Sequence, residues 1–215
     1  MTQLLTQGTI DTLYMTIVST FFAYVLGLPM GVLLSVTGKG GIMENQPFNS
    51  VFGWLINILR SFPFVILMIV LIPFTRLVTG KMIGTNAACI SLIIAAAPFV
   101  ARLVESSFAE IDIGVIEAAK CMGATKWQII FHVMLTEAVP SLIRGLSITT
   151  ITLIGYSAMA GAVGAGGLGD IAIRYGLHRY QYNVMMLTVL LLVIIVCIIQ
   201  IIFDYLANHV DKRNR

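Results

Sequence analysis

A chain of 215 residues that is 58% hydrophobic and 11% charged, with a net charge of +3, falls well short of the roughly 25% charged residues of a soluble domain. Its mean hydropathy of +0.95 excludes a soluble fold, because a domain of this size cannot bury that much apolar surface. The small positive charge gives no basis for a nucleic-acid partner. Cys89, Cys121 and Cys197 lie far apart in the sequence, which fits neither a zinc site nor a disulfide framework. They read as packing residues.

Met1–Ile10 contains no Lys or Arg, so it lacks the positive start of a secretory leader, and the first apolar segment is expected to be a retained span. Runs of about 20 apolar residues predict spanning helices. Five are present, at roughly 12–36, 51–73, 86–104, 139–160 and 182–207, which predicts an all-α integral membrane protein with a single transmembrane domain over 1–215. In the first, Gly27 and Gly31 share one helix face and permit close approach of another helix, while Pro29 predicts a kink whose freed carbonyl neighbouring helices can satisfy.

Orientation follows from the basic residues. With the N-terminus outside, Lys39, Arg60, Arg102, Lys120, Lys126, Arg144, Lys212, Arg213 and Arg215 lie on the cytoplasmic side, against Arg76, Lys81, Arg174 and Arg179 outside. The expected topology is N-out and C-in, and the loop at about 105–138 is cytoplasmic.

That loop has helical character. Asp112 is placed to cap a short helix and Glu117 suits its first turns. Gly123 reads as its stop, and Thr125 as the cap of a second short helix through Leu135. Ile129, Ile130, Val133 and Met134 recur at helical spacing. Such an element is suited either to lie along a membrane surface and offer its turn to a partner, or to link and pack on its own helices.

Residues 155–169 carry glycine at 155, 161, 164, 166, 167 and 169. Each costs a helix interior about 1 kcal/mol relative to alanine, and irregular backbone survives in a bilayer only where protein or a water-filled cavity surrounds it. A close-packed outer loop and a cavity lining are both compatible with this. The Gly164, Gly166, Gly169 pattern is not a dinucleotide fingerprint, which needs a preceding strand and a following helix in a βαβ unit.

No phosphate-cradling loop occurs: Gly38-Lys39 and Gly80-Lys81 are followed by Gly40 and Met82, whereas the motif requires Ser or Thr. His132, His178 and His209 are too dispersed for a shared metal site. No nucleophile–base constellation appears, so the chain does not read as an enzyme. Arg60 and Arg102 lie near span ends where they can snorkel, and Asp204 lies near the end of the fifth span. Ion relays display carboxylates at mid-membrane, and none is evident.

Glu117-Ala118-Ala119, three residues, Gly123, nine residues, Val133, one residue and Leu135 resembles the cytoplasmic signature of ABC-importer permeases. Val133 stands where that signature has Ile, and Thr136 where it has Pro; Pro140 follows four residues later as a candidate start of the fourth span. Arg60-Ser-Phe-Pro-Phe-Val-Ile66, Ile72-Pro-Phe-Thr-Arg76, Ala96-Ala-Pro-Phe-Val-Ala-Arg102 and Gly155–Gly169 extend the resemblance to the methionine-importer permeases. The resemblance implies the type I ABC-importer permease fold, homodimeric, with five spans per subunit in the cytoplasmic (inner) membrane. It implies two ATP-binding subunits that hold the ATP and Mg²⁺, no cofactor on this chain, and a substrate-binding lipoprotein that delivers D- or L-methionine at the outer face. Another amino acid or small solute, or an ion-coupled carrier without an ATPase, are the alternatives. Glu117, Ala118, Ala119, Lys120, Gly123, Ala124 and Thr125 would form the coupling helix that docks on the ATPase. Tyr156, Ser157, Met159 and Gly161 are the candidates for the translocation path, with Met159 either lining it or packing.

Overall fold

The protein is described by a computed structural model covering residues 2–210; Lys212, Arg213 and Arg215, which enter the charge asymmetry above, lie outside the described residues. The elements are α1 (Thr2–Thr37), α2 (Gln46–Ser61), α3 (Phe64–Val70), α4 (Ile72–Thr79), α5 (Thr85–Ala109), α6 (Ile113–Cys121), α7 (Lys126–Gln128), a π-helical segment (Ile129–Met134), α8 (Leu135–Gly161), α9 (Gly167–Ile171), a second π segment (Ala172–Leu177) and α10 (Tyr182–Val210). Among the described residues four helices are long and apolar enough to cross a membrane, or five spans if one bent pair counts as a single span.

α5 is the hub. Of its apolar window 61% is buried, against 6% for α10, although α10 is the more hydrophobic. Hydropathy alone therefore does not rank burial: α10 turns its apolar surface outward, where lipid replaces protein as the solvent. α1 packs along α5 and also touches α8 and α9. The expected close approach is present: a Cβ on Gly27 would lie 2.6 Å from Val100 Cβ, and one on Gly31 2.5 Å from the Ala101 carbonyl oxygen.

Three of the expected boundaries change. The first helix begins at Thr2, about ten residues before the expected 12–36 span, and continues through Pro29. Its early part is polar, so hydropathy passes over it, but it is held: the Leu168 N–H donates to Thr12 Oγ1 at 2.9 Å and Gln7 donates to Asp11 at 2.9 Å. At about 1.5 Å per residue the helix is roughly 54 Å long, beyond the roughly 30 Å of a hydrocarbon core.

The expected span 51–73 is not one helix. α2 and α3 are bent by 96° because Phe62 is extended (φ −72, ψ 125), as a residue before proline prefers, and Pro63 has no N–H to continue the ladder. Pro73 then sits in the first turn of α4, a position that suits it. The 105–138 segment is mostly helical, with only short non-helical links around α6, and its second short helix is not separate from the fourth span: Lys126–Gly161 is one continuous rod. Thr136 keeps the backbone N–H that proline would lack, so nothing stops the helix there. The fourth span does not start at Pro140 either, since Pro140 lies inside α8.

α2 is gripped by α5 through Arg102. Its Nη1 pairs with Glu105 at 2.7 Å, and its Nη2 donates to the Gly53 carbonyl and to Asn57 Oδ1, each at 2.9 Å. Arg60 lies over the Phe99 ring, 5.8 Å from its centroid. Replacing Arg102 by alanine removes both of its bonds to α2, at Gly53 and Asn57, and should cost about 2 kcal/mol. Lysine should recover only part of this, since an ammonium cannot reproduce the guanidinium fork. Thermal unfolding in detergent measures both; equal melting of Arg102→Ala and the native chain would refute the clamp.

Candidate functional site

The 110–128 turn is built from caps. Asp112 Oδ1 accepts from the Gly114 N–H at 2.8 Å and starts α6. At its end the Gly123 N–H donates to the Lys120 carbonyl at 3.0 Å and the Ala124 N–H to the Ala119 carbonyl at 3.1 Å, the paired closure of a Schellman motif. It requires Gly123 in the left-handed region, where its φ is +79. Thr125 and Gln128 then form a capping box: the Gln128 N–H donates to Thr125 Oγ1 at 3.4 Å and the Thr125 N–H to Gln128 Oε1 at 2.8 Å. The three caps expected from the sequence are therefore in place, and they define a rigid corner between α6 and the Lys126–Gly161 rod.

The candidate docking residues divide by face. Glu117, Ala118, Lys120, Gly123 and Thr125 are exposed and Ala124 is half-buried, but Ala119 is buried. It belongs to the core cluster with Ile111, Ile129, Ile130 and Met134, so it holds α6 onto the rod. Two apolar side chains that motif reading passed over stand at this surface: Met122 is 81% exposed and Trp127 62%, with Trp127 stacked on Phe131 at 5.9 Å. Their signal is positional. An apolar residue at the C-cap of a short helix, next to a left-handed glycine, has no core to enter.

The rod leaves the turn through a π segment in which the Leu135 N–H donates to the Ile130 carbonyl, five residues back. Near its far end the four path candidates separate. Met159 is half exposed. Tyr156 is half-buried, and its ring lies on Phe64 of α3 at 4.7 Å and 4°. Ser157 is 1% exposed and its hydroxyl donates to the Ile154 carbonyl at 2.8 Å. Gly161 is packed on α9, where a Cβ would overlap the Asp170 backbone nitrogen and lie 2.6 Å from the Gly169 carbonyl carbon. Only Tyr156 and Met159 thus share an accessible flank of α8. Within the glycine-rich stretch, Gly161 and Gly169 serve close packing at this crossing. Among the described residues no three His, Cys, Asp or Glu side chains are grouped as metal ligands.

A family model described as the binding-protein-dependent transport system inner membrane component matches residues 23–215. The chain belongs to that family. It is thus a multi-pass inner-membrane component of such a transport system, and the resemblance read from residues 117–135 holds. Among relatives of this permease, a Vibrio cholerae chain named probable D-methionine transport system permease protein MetI is 50% identical, over 98% of this chain and 93% of that one. A Bacillus subtilis chain named methionine import system permease protein MetP is 48% identical, over 96% of this chain and 93% of its own length. A solved structure of the MetNI methionine ABC transporter in inward-facing conformations superposes with a TM-score of 0.97 and 49% identity, covering 99% of this chain and 98% of that one. An amino acid ABC transporter solved with histidines, at 22% identity and a TM-score of 0.73, shares the fold.

Proposed function

We propose that this permease is the membrane-spanning subunit of an ATP-driven methionine importer. The observation that carries the reading is likeness in sequence and backbone, along nearly the whole chain, to permeases named for methionine transport. In this reading two copies pair, two ATP-binding subunits carry the ATP and Mg²⁺, and a substrate-binding lipoprotein docks outside. The 110–128 turn faces the cytoplasm, as the asymmetry of basic residues suggests.

The geometry fits the transmission of force. An exposed turn closed by three caps moves as a body, and the continuous Lys126–Gly161 rod carries its displacement into the membrane. Glu117, Lys120 and Thr125 supply polar contacts to an ATPase groove. Met122 and Trp127 supply apolar ones, since exposed apolar groups of this kind mark protein interaction sites. On the flank of α8, Met159 offers a polarizable thioether, suited to weak contact with a methionine side chain that must also be released.

The test is co-purification with a nucleotide-binding subunit, followed by ATP-dependent uptake of labelled methionine into proteoliposomes. Uptake that unlabelled methionine competes most strongly is the expected result. Stronger competition by another amino acid would reassign the solute. Absence of a nucleotide-binding subunit, with uptake that collapses when ion gradients are dissipated, would overturn the reading.

A further inference from the structure

Both arms of the break in the second span rest on α5, and the second arm reaches α8 as well. α2 is clamped to α5 by Arg102, through the Gly53 carbonyl and Asn57. α3 packs on α5 and α8, and its first residue, Phe64, stacks face to face on Tyr156 of α8 at 4.7 Å. Between the arms, Phe62 is extended and Pro63 offers no N–H, so no helical ladder crosses the corner. A backbone corner without a ladder takes its angle from whatever holds its arms. Here those holders are α5 and α8, and α8 is continuous with the rod that starts beside Gly123.

We propose that the Phe64–Tyr156 stack is a positioning contact that makes the bend of the broken span follow the rod, so that displacement of the 110–128 turn changes the angle between α2 and α3. The inference rests on the transport reading above. Tyr156 acts through Phe64 and touches no solute in this role. Near-parallel rings at this separation are an arrangement aromatic pairs prefer, and they interact beyond the apolar area they bury, which aliphatic contact does not reproduce.

The experiment uses the permease assembled with its ATP-binding subunits. Tyr156→Phe, Tyr156→Leu and Phe64→Leu are compared, the leucine variants keeping apolar volume so that insertion and assembly survive. Methionine transported per ATP hydrolysed should fall about tenfold in both leucine variants, with ATP hydrolysis and the KM for methionine little changed, and should stay native in Tyr156→Phe. The double variant Phe64→Leu with Tyr156→Leu should be no worse than either single one, as expected for partners in one contact. Spin labels at Ser50 on α2 and Ile148 on α8, in a background without native cysteines, should report a nucleotide-dependent distance change in the native and Tyr156→Phe chains that the leucine variants lose.

Native coupling in the leucine variants, additive losses, or a native complex whose labels do not move with nucleotide would each overturn the proposal. So would a rise in KM in Tyr156→Leu, which would make Tyr156 a solute contact. A native complex that takes up no methionine but does show the nucleotide-dependent movement would instead fail the solute assignment alone. Failure of the assembly itself would remove both.

Discussion

Valine at position 123 is expected to leave membrane insertion and assembly intact while lowering uptake by an order of magnitude or more. A Cβ on Gly123 would meet nothing within 4 Å, so the penalty is conformational. At φ +79 an ordinary L-residue is strained by roughly 1–2 kcal/mol, and a β-branched one by more. Relieving that strain opens the closure of Gly123 and Ala124 on Lys120 and Ala119, which sets the angle of α6 to the rod. A penalty of about 1.4 kcal/mol is tenfold in the population of the closed turn. Asparagine, which visits the left-handed region at little cost, should restore most of the uptake. Uptake and ATP hydrolysis measured together decide the matter: a Gly123→Val chain with native uptake would sink the rigid-turn account, and an Asn variant as poor as Val would point to a steric need in the partner groove.

Gly161→Ala is expected to have the largest effect on stability, about 3 kcal/mol, the upper end of what overpacking usually costs. The added Cβ would overlap the Asp170 backbone nitrogen, and the reciprocal Cβ on Gly169 would sit 2.5 Å from Ala158 Cα. Both obstacles are backbone, which cannot rotate away as a side chain does, so α9 must part from α8. That parting also strains the bond from the Leu168 N–H to Thr12, a contact between residues 156 positions apart. Gly155→Ala is the internal control: its Cβ meets nothing within 4 Å, and alanine is the better helix former. Yield and melting temperature in detergent should drop sharply for Gly161→Ala and hold for Gly155→Ala. Equal behaviour of the two would mean that the α8–α9 crossing yields more readily than its geometry suggests.

Much of the fold and candidate site is legible in the sequence, for identifiable reasons. Asp112, Gly123 and Thr125 each have a local job, a cap or a left-handed turn, and local jobs depend on neighbours in sequence. Gly27 and Gly31 were legible because a four-residue spacing puts them on one face whatever that face meets. The bend at Phe62–Pro63 was available in principle, since proline and the residue before it carry a known conformational restriction, but a run of apolar residues on both sides masked it in a hydropathy window. The polar start of α1 was masked in the opposite sense, because its helix is held by Thr12 and Asp11 contacts and not by apolarity.

Composition and periodicity alone therefore determined that this is a helical membrane protein with a capped corner at 110–128, since solvation and backbone geometry act residue by residue. Three features were left to the tertiary structure: the inward turn of Ala119, the pairing of Tyr156 with Phe64, and the packing of Gly161 on Asp170. Each depends on which helix arrives opposite, and contacts between residues far apart in the chain leave no mark in the spacing of either one.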